Sequence, residues 1–318
     1  VSARIHPGWR LAALALLLVA AAALFLGYEA RSLHSVLRFR LPTLAAMLIV
    51  GWAVAVSTVT FQTLTSNRIL TPAIMGLDAI YSLIQTLVLV IAGSQVLAAT
   101  PSLIQFAATS AIMVGASWLL IVPLLGSGRQ LHVLVLAGII LGTLLRSITV
   151  FIQNLLDPNE FFVLQARLFA SFNGVSRDLL WVGGAIVTVL SAWLWHRRHV
   201  LDVLLLGRPL AISLGVPYDR EVKRTMIAIA VLVSVSTAMV GPITFFGLLV
   251  AHLAYRLAGS HRHAVVLPAS ALCAALTLVG GQAVLQHLLD WSTVLSVVVE
   301  LAGGLLLITL LIREGKRL

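Results

Sequence analysis

The sequence predicts an all-α polytopic membrane protein with about ten transmembrane helices. Three observations carry that prediction. The 318-residue chain is 60% hydrophobic and only 10% charged, with a mean hydropathy of +1.06. A soluble domain is nearer half apolar and a quarter charged. Apolar runs of spanning length recur from end to end, and the Lys and Arg residues between them sort to alternating sides.

A spanning helix needs about 20 mostly apolar residues to cross roughly 30 Å of hydrocarbon. On that measure the spans lie at about 9–28, 42–64, 73–93, 102–124, 131–156, 178–195, 221–241, 244–258, 264–287 and 293–312. The first follows Arg4 and Arg10 as a signal peptide would, but the many spans behind it make it a retained helix. The fifth and the ninth are long enough to include interfacial turns. The seventh and eighth are divided by "GPITFFG", with Gly241 and Pro242 at the break, and the eighth is short by itself. No long polar stretch occurs, so residues 1–318 read as a single transmembrane domain whose soluble chemistry belongs to another chain.

The formal net charge is +10. Nucleic-acid binding is one reading of such basicity; retention of basic side chains on the cytoplasmic side explains it better. With a cytoplasmic N-terminus and ten spans, 15 of the 21 Lys and Arg residues fall inside. Arg31, Arg38, Arg40, Arg167 and Arg177 fall outside, and Arg146 lies within the fifth span. Both termini are then cytoplasmic. The lone cysteine, Cys273, excludes an intramolecular disulfide and a cysteine-based metal cluster.

Between spans six and seven lies a cytoplasmic segment at about residues 200–218, and from it into span seven, Leu204 to Arg224, runs "LLLGRPLAISLGVPYDREVKR". Leu201 to Leu206 suit one short helix that Gly207 ends. Pro209 suits the first turn of a second helix, which Gly215 closes ahead of Pro217. Asp219 and Glu221 favour the start of span seven. The leucines make this connection too apolar for a free loop. It either folds back on its own bundle or docks in a partner's groove.

These features together resemble the permease subunits of the ABC importers for iron–siderophore, haem and cobalamin. "LLLGRPLAISLGV" is similar to that family's coupling segment, and Val240–Leu272 ("VGPITFFGLLVAHLAYRLAGSHRHAVVLPASAL") to its signature through spans eight and nine. "NRILTPAIMG" at Asn67–Gly76 stands where many members have Asn-Pro-Leu-Ala, an acid, Pro and a later Gly. Two positions depart from the pattern: Thr43 replaces a frequent arginine, and Ala251 a frequent proline. The resemblance implies a cobalamin-importer-permease-like fold of ten helices in a bacterial cytoplasmic membrane. Its partners would be a second permease subunit (a paralogue, on likeness to a siderophore subgroup, or else a second copy of this chain), two ATP-binding subunits, an extracytoplasmic substrate-binding protein and membrane lipid, with no nucleic acid. ATP and Mg would sit on the partner ATPase, since this chain has no GxxxxGK[ST] and binds no cofactor of its own. The chain would be a transport subunit, not an enzyme, with no catalytic residues and no metal. Leu206, Gly207, Arg208, Pro209, Ile212, Leu214 and Gly215 would couple it to the ATPase.

Other polar residues carry two readings each. Glu300 lies about seven residues, roughly 10 Å, from the outer end of span ten, and Arg146 at a similar depth. Charges at that depth point to a cavity or partner, so both are translocation-path candidates; local hydrogen bonding or snorkelling is the alternative. Asp78, beside Gly76, Tyr81 and Gln85, reads as helix packing or as a polar seam at a gate, and Gln62 and Thr63 share the ambiguity. Arg38 and Arg40 are candidates for docking the binding protein, against lipid phosphate contact. The "HRRH" at His196–His199 and "HRH" at His261–His263 fit interfacial snorkelling better than metal binding. The competing function is an ion-coupled secondary transporter built on Glu300, Asp78 and Arg146.

Overall fold

The apolar runs fold as predicted into helices. A computed structural model describes residues 7–27, 34, 36–126, 131–288 and 295–315. Arg4, Arg31, Arg129, Lys316 and Arg317, used above for orientation, lie outside the described residues. Thirteen α-helices occur among the described residues: α1 (Pro7–Gly27), α2 (Leu41–Thr65), α3 (Leu77–Ala99), α4 (Ser102–Gly126), α5 (Leu131–Gln153), α6 (Pro158–Leu168), α7 (Arg177–His196), α8 (Arg198–Leu204), α9 (Arg208–Ser213), α10 (Tyr218–Val240), α11 (Phe246–Ala258), α12 (His263–Leu288) and α13 (Leu295–Gly315). Eight are long and apolar enough to cross a membrane; α11 and α13 are shorter apolar helices among the described residues. Each of the ten expected spans therefore has its helix.

The bundle is built around α2 and α10, in each of which 72% of the most apolar window is buried, against 11% for α1. Helix α2 packs along α12 on one side and α10 on another; α1 lies against α12, α4 against α10, and α5 against α3. An α2 lined by Ala46, Ala53 and Ala55, all buried, lets its neighbours approach closely. Small residues serve this purpose where lipid supplies no hydrophobic drive between helices.

Helix α3 begins at Leu77, later than the apolar run suggests, because Pro72–Met75 close as a 3-10 turn and Gly76 takes the left-handed region (φ 85). The helix then bends at Gly93 and runs on to Ala99. Helix α6 was not expected from span counting. Its start is fixed by Asp157, whose carboxylate accepts from the Asn159 amide at 2.9 Å, with Pro158 at the first position.

Two chain breaks meet inside the bundle. Thr71, Pro72 and Ala73, ahead of α3, border the same small cavity as Gly241, Ile243 and Thr244, between α10 and α11. That cavity is level with Val50–Thr58, the middle of α2. Irregular backbone at such depth is tolerated where protein or a polar cavity surrounds it. Here the Ser171 amide donates to the Val240 carbonyl at 2.8 Å, tying the end of α10 to the chain after α6.

Candidate functional site

Helices α8 and α9 form the punctuated segment at one end of the bundle, with boundaries close to the sequence reading. Gly207 (φ 87) turns the chain between them, a conformation that side-chain-bearing residues rarely adopt. Pro209 lies in the first turn of α9, and Gly215 follows the helix. The segment both folds back and faces out. Leu201, Leu204 and Ala211 are buried against the bundle, Leu201 only 1% exposed. Leu205, Leu206, Leu210, Ile212 and Leu214 point outward, with Leu214 61% exposed. Arg208 pairs with Asp219 at 2.9 Å on the surface, a contact that water largely screens.

The base of the segment is held by charge. Glu221, buried in the first turn of α10, accepts from Arg197 at 2.9 Å and from Arg224 at 3.4 Å. Within α8, one carboxylate oxygen of Asp202 accepts twice from His263, from its backbone amide at 2.9 Å and its ring Nδ1 at 2.6 Å. The other ring nitrogen, Nε2, lies 2.7 Å from the Thr63 hydroxyl at the end of α2. Arg68 stacks over Tyr255 at 4.6 Å and approaches His261 Nδ1 at 3.1 Å. His263 is thus a buried, bonded residue, whereas the sequence reading gave the whole "HRH" run to interfacial snorkelling. Asp202 was missed altogether. The available signal was slight: one carboxylate among Val200, Leu201, Val203 and Leu204, in a seven-residue helix that also carries Arg198 and His199. No group of three potential metal ligands occurs among the described residues.

At mid-depth, Asp78 in the first turn of α3 faces Thr244 and lies within electrostatic reach of Arg146 and Glu300. Its Oδ2 is buried without a hydrogen-bond partner and borders the cavity of about 30 Å³, room for a water molecule. Ser57, Thr58, Thr71, Ser236 and Thr237 also line that space. The Glu300 carboxylate in α13 faces the Thr244 backbone amide, just ahead of α11, where the helix dipole favours a negative charge. Arg146 sits on an exposed face of α5 with Thr143 and Ser147 and makes no close ion pair with either acid among the described residues. The three residues therefore share one region without joining directly. Gln62 donates to the Arg68 carbonyl at 2.7 Å, tying down the loop after α2.

At the opposite end, Arg40 caps α1 by donating to the Phe25 and Leu26 carbonyls at 3.1 and 3.2 Å. Arg38 is exposed and lies 5.8 Å from the Phe39 ring. A polar cavity of about 240 Å³ opens nearer this end, lined by Tyr81, Gln85, Gln105, Arg167 and Asn173. Arg167 donates to Gln105 at 2.9 Å there. Span counting gave no warning of this cavity, because α6 and the loop after it supply eight of its nineteen lining residues.

Residues 10–313 match the profile of the FecCD transport family. The petrobactin import system permease protein YclO of Bacillus subtilis (strain 168) is 42% identical over 294 residues, 92% of this chain and 93% of the relative. The petrobactin import system permease protein FatC of Bacillus anthracis is 34% identical, covering 90% and 81%. The vitamin B12 import system permease protein BtuC of Vibrio parahaemolyticus is also 34% identical, covering 80% and 75%. A solved structure described as an inward-facing conformation of a metal-chelate type ABC transporter superposes with a TM-score of 0.82 at 25% identity, covering 96% of this chain and 99% of the other.

Proposed function

Because the chain belongs to the FecCD transport family, a family of ABC importer permeases, we propose that it moves an iron–siderophore chelate of the petrobactin class into the cytoplasm. The energy comes from ATP hydrolysed, with Mg, on two partner ATP-binding subunits. The chelate is delivered by an extracytoplasmic binding protein. The protein sits in the bacterial cytoplasmic membrane, surrounded by lipid, with both termini in the cytoplasm.

The observation that carries this reading is the outward face of α8 and α9. Leu205, Leu206, Leu210, Ile212 and Leu214 form an apolar surface beyond the membrane-length helices, where exposed patches of this kind favour a protein partner. Leu206, Gly207, Arg208, Pro209, Ile212, Leu214 and Gly215 form the coupling surface for the ATPase. Arg146 supports a second permease subunit. A guanidinium on an exposed face at membrane depth is costly against lipid, so that face of α5 belongs beside a partner and a wet path, with Glu300 near it. The second subunit is a paralogue. Arg38, and Arg40 behind it, meet the binding protein on the outer face.

The test is reconstitution of the chain with its genomic neighbours in proteoliposomes, loaded with ATP inside and offered radioiron–petrobactin with the binding protein outside. ATP-dependent uptake is expected. Uptake that follows an imposed ion gradient and ignores ATP would favour a secondary transporter built on Asp78, Arg146 and Glu300.

A further inference from the structure

Helix α8 touches the bundle through two kinds of contact. Leu201 and Leu204 bury apolar surface, which holds the helix down but is non-directional. Asp202 adds a directional contact, since one Oδ1 accepts both the backbone amide and the Nδ1–H of His263. His263 is the first residue of α12, a helix with no acidic residue in its first turn. Asp202 therefore supplies, from 61 residues away, the negative charge that the positive end of a helix favours. The ring reaches on through Nε2 to Thr63 in the last turn of α2. Three elements close on one imidazole.

We infer that Asp202 and His263 form a latch that makes the coupling segment move as one body with α12 and α2, so that Asp202 is a positioning residue for transport. The inference rests on the import reading above. Two charge-assisted hydrogen bonds from one residue to a single carboxylate oxygen fix the angle and register of α8 against α12. Apolar contacts alone would let a push on α9 be lost as sliding at Leu201 and Leu204. The nearby Arg197–Glu221 pair restrains the start of α8 against α10, which leaves Asp202 to fix the helix against α12 and α2.

Two measurements test the latch. The first is chelate transported per ATP hydrolysed in reconstituted complexes of the wild type, Asp202→Ala, Asp202→Asn and His263→Ala. Assembly and ATP hydrolysis should persist in all four. Transport per ATP should fall about tenfold in both alanine variants, the scale of a lost charged hydrogen bond. Asp202→Asn, which keeps an oxygen acceptor, should recover at least part of the loss. An unchanged ratio in both alanine variants overturns the inference. The second measurement uses the isolated chain in detergent. Amide exchange across residues 198–206 should quicken about tenfold in the alanine variants, and unchanged exchange overturns the latch as well. If the wild type assembles with no ATPase, the import reading fails, and exchange in the isolated chain still decides the latch.

Discussion

Gly76 and Gly142 bring two backbones so close that a methyl group on Gly142 would sit 2.8 Å from the Cα of Gly76. The contact joins the turn ahead of α3 to the face of α5, and Gly138 makes a similar approach to Met75. Here "NRILTPAIMG" meets the bundle, and the position of Asp78 two residues later depends on it.

Alanine at the two glycines should cost different amounts. Gly142→Ala meets backbone alone and should destabilise by about 1–3 kcal/mol, the usual range for overpacking. Gly76→Ala meets backbone too, 2.9 Å from the Gly142 Cα, and in addition forces a side chain to φ 85. It should lose about 1–2 kcal/mol more. Thermal unfolding in detergent reads both. Equal melting temperatures for the two variants would mean that the left-handed turn is not held there.

The apolar face of α8 and α9 should bind the ATPase. Leu214→Asp places a charge on an exposed side chain and should abolish copurification while leaving the melting temperature within a degree or two of the parent, as surface changes do. Gly207→Pro cannot adopt the φ of 87 found there and should also disconnect the two helices. Pull-down from membranes is the measurement. Normal recovery of ATPase with both variants would leave the docking surface elsewhere.

The predicted topology is open to thiol labelling. Cys273 is buried, so the parent should give little background. A cysteine in place of exposed Asn173 should react with an impermeant maleimide on intact spheroplasts, and one in place of exposed Ser213 should not. Labelling in the opposite pattern would invert the orientation.

Arg38 and Arg40 should separate in their effects. Arg38→Glu reverses an exposed charge and should slow association of the binding protein, most at low ionic strength, as charge pairs at a wet rim do. Arg40→Glu should also loosen the end of α1, because Arg40 donates to the Phe25 and Leu26 carbonyls. Stopped-flow association in nanodiscs across a salt series measures the first effect, and thermal unfolding the second. Salt-independent rates for Arg38→Glu would assign that residue to lipid phosphate.

Composition made the helices legible, since ten apolar runs have few ways to satisfy their backbone in hydrocarbon other than as helices. Punctuation made the two short helices α8 and α9 legible, down to Gly207, Pro209 and Gly215. Helix α6 escaped notice because it is only 11 residues long and mixes Asn159, Glu160, Gln165 and Arg167 with its apolar side chains. The late start of α3 escaped because an apolar run does not reveal that Pro72–Met75 closes as a tight turn. Between α7 and α10, the three-residue spacing of Leu201 and Leu204 carried the clue to which leucines turn inward. The pairing of Asp202 with His263 was out of reach, because neither residue is unusual until the fold brings them together.

Helix α11 spans 13 residues, about 20 Å of rise, against roughly 30 Å of hydrocarbon. During synthesis such a segment has too little apolar length to be recognised as a membrane helix by itself. It must enter the bilayer as a passenger of α10 and α12, after both have left the ribosome. The break at Gly241–Phe245 thus makes biogenesis wait on the chain behind it. A nascent chain arrested just past Ala258 would hold α11 outside the bilayer until α12 arrives.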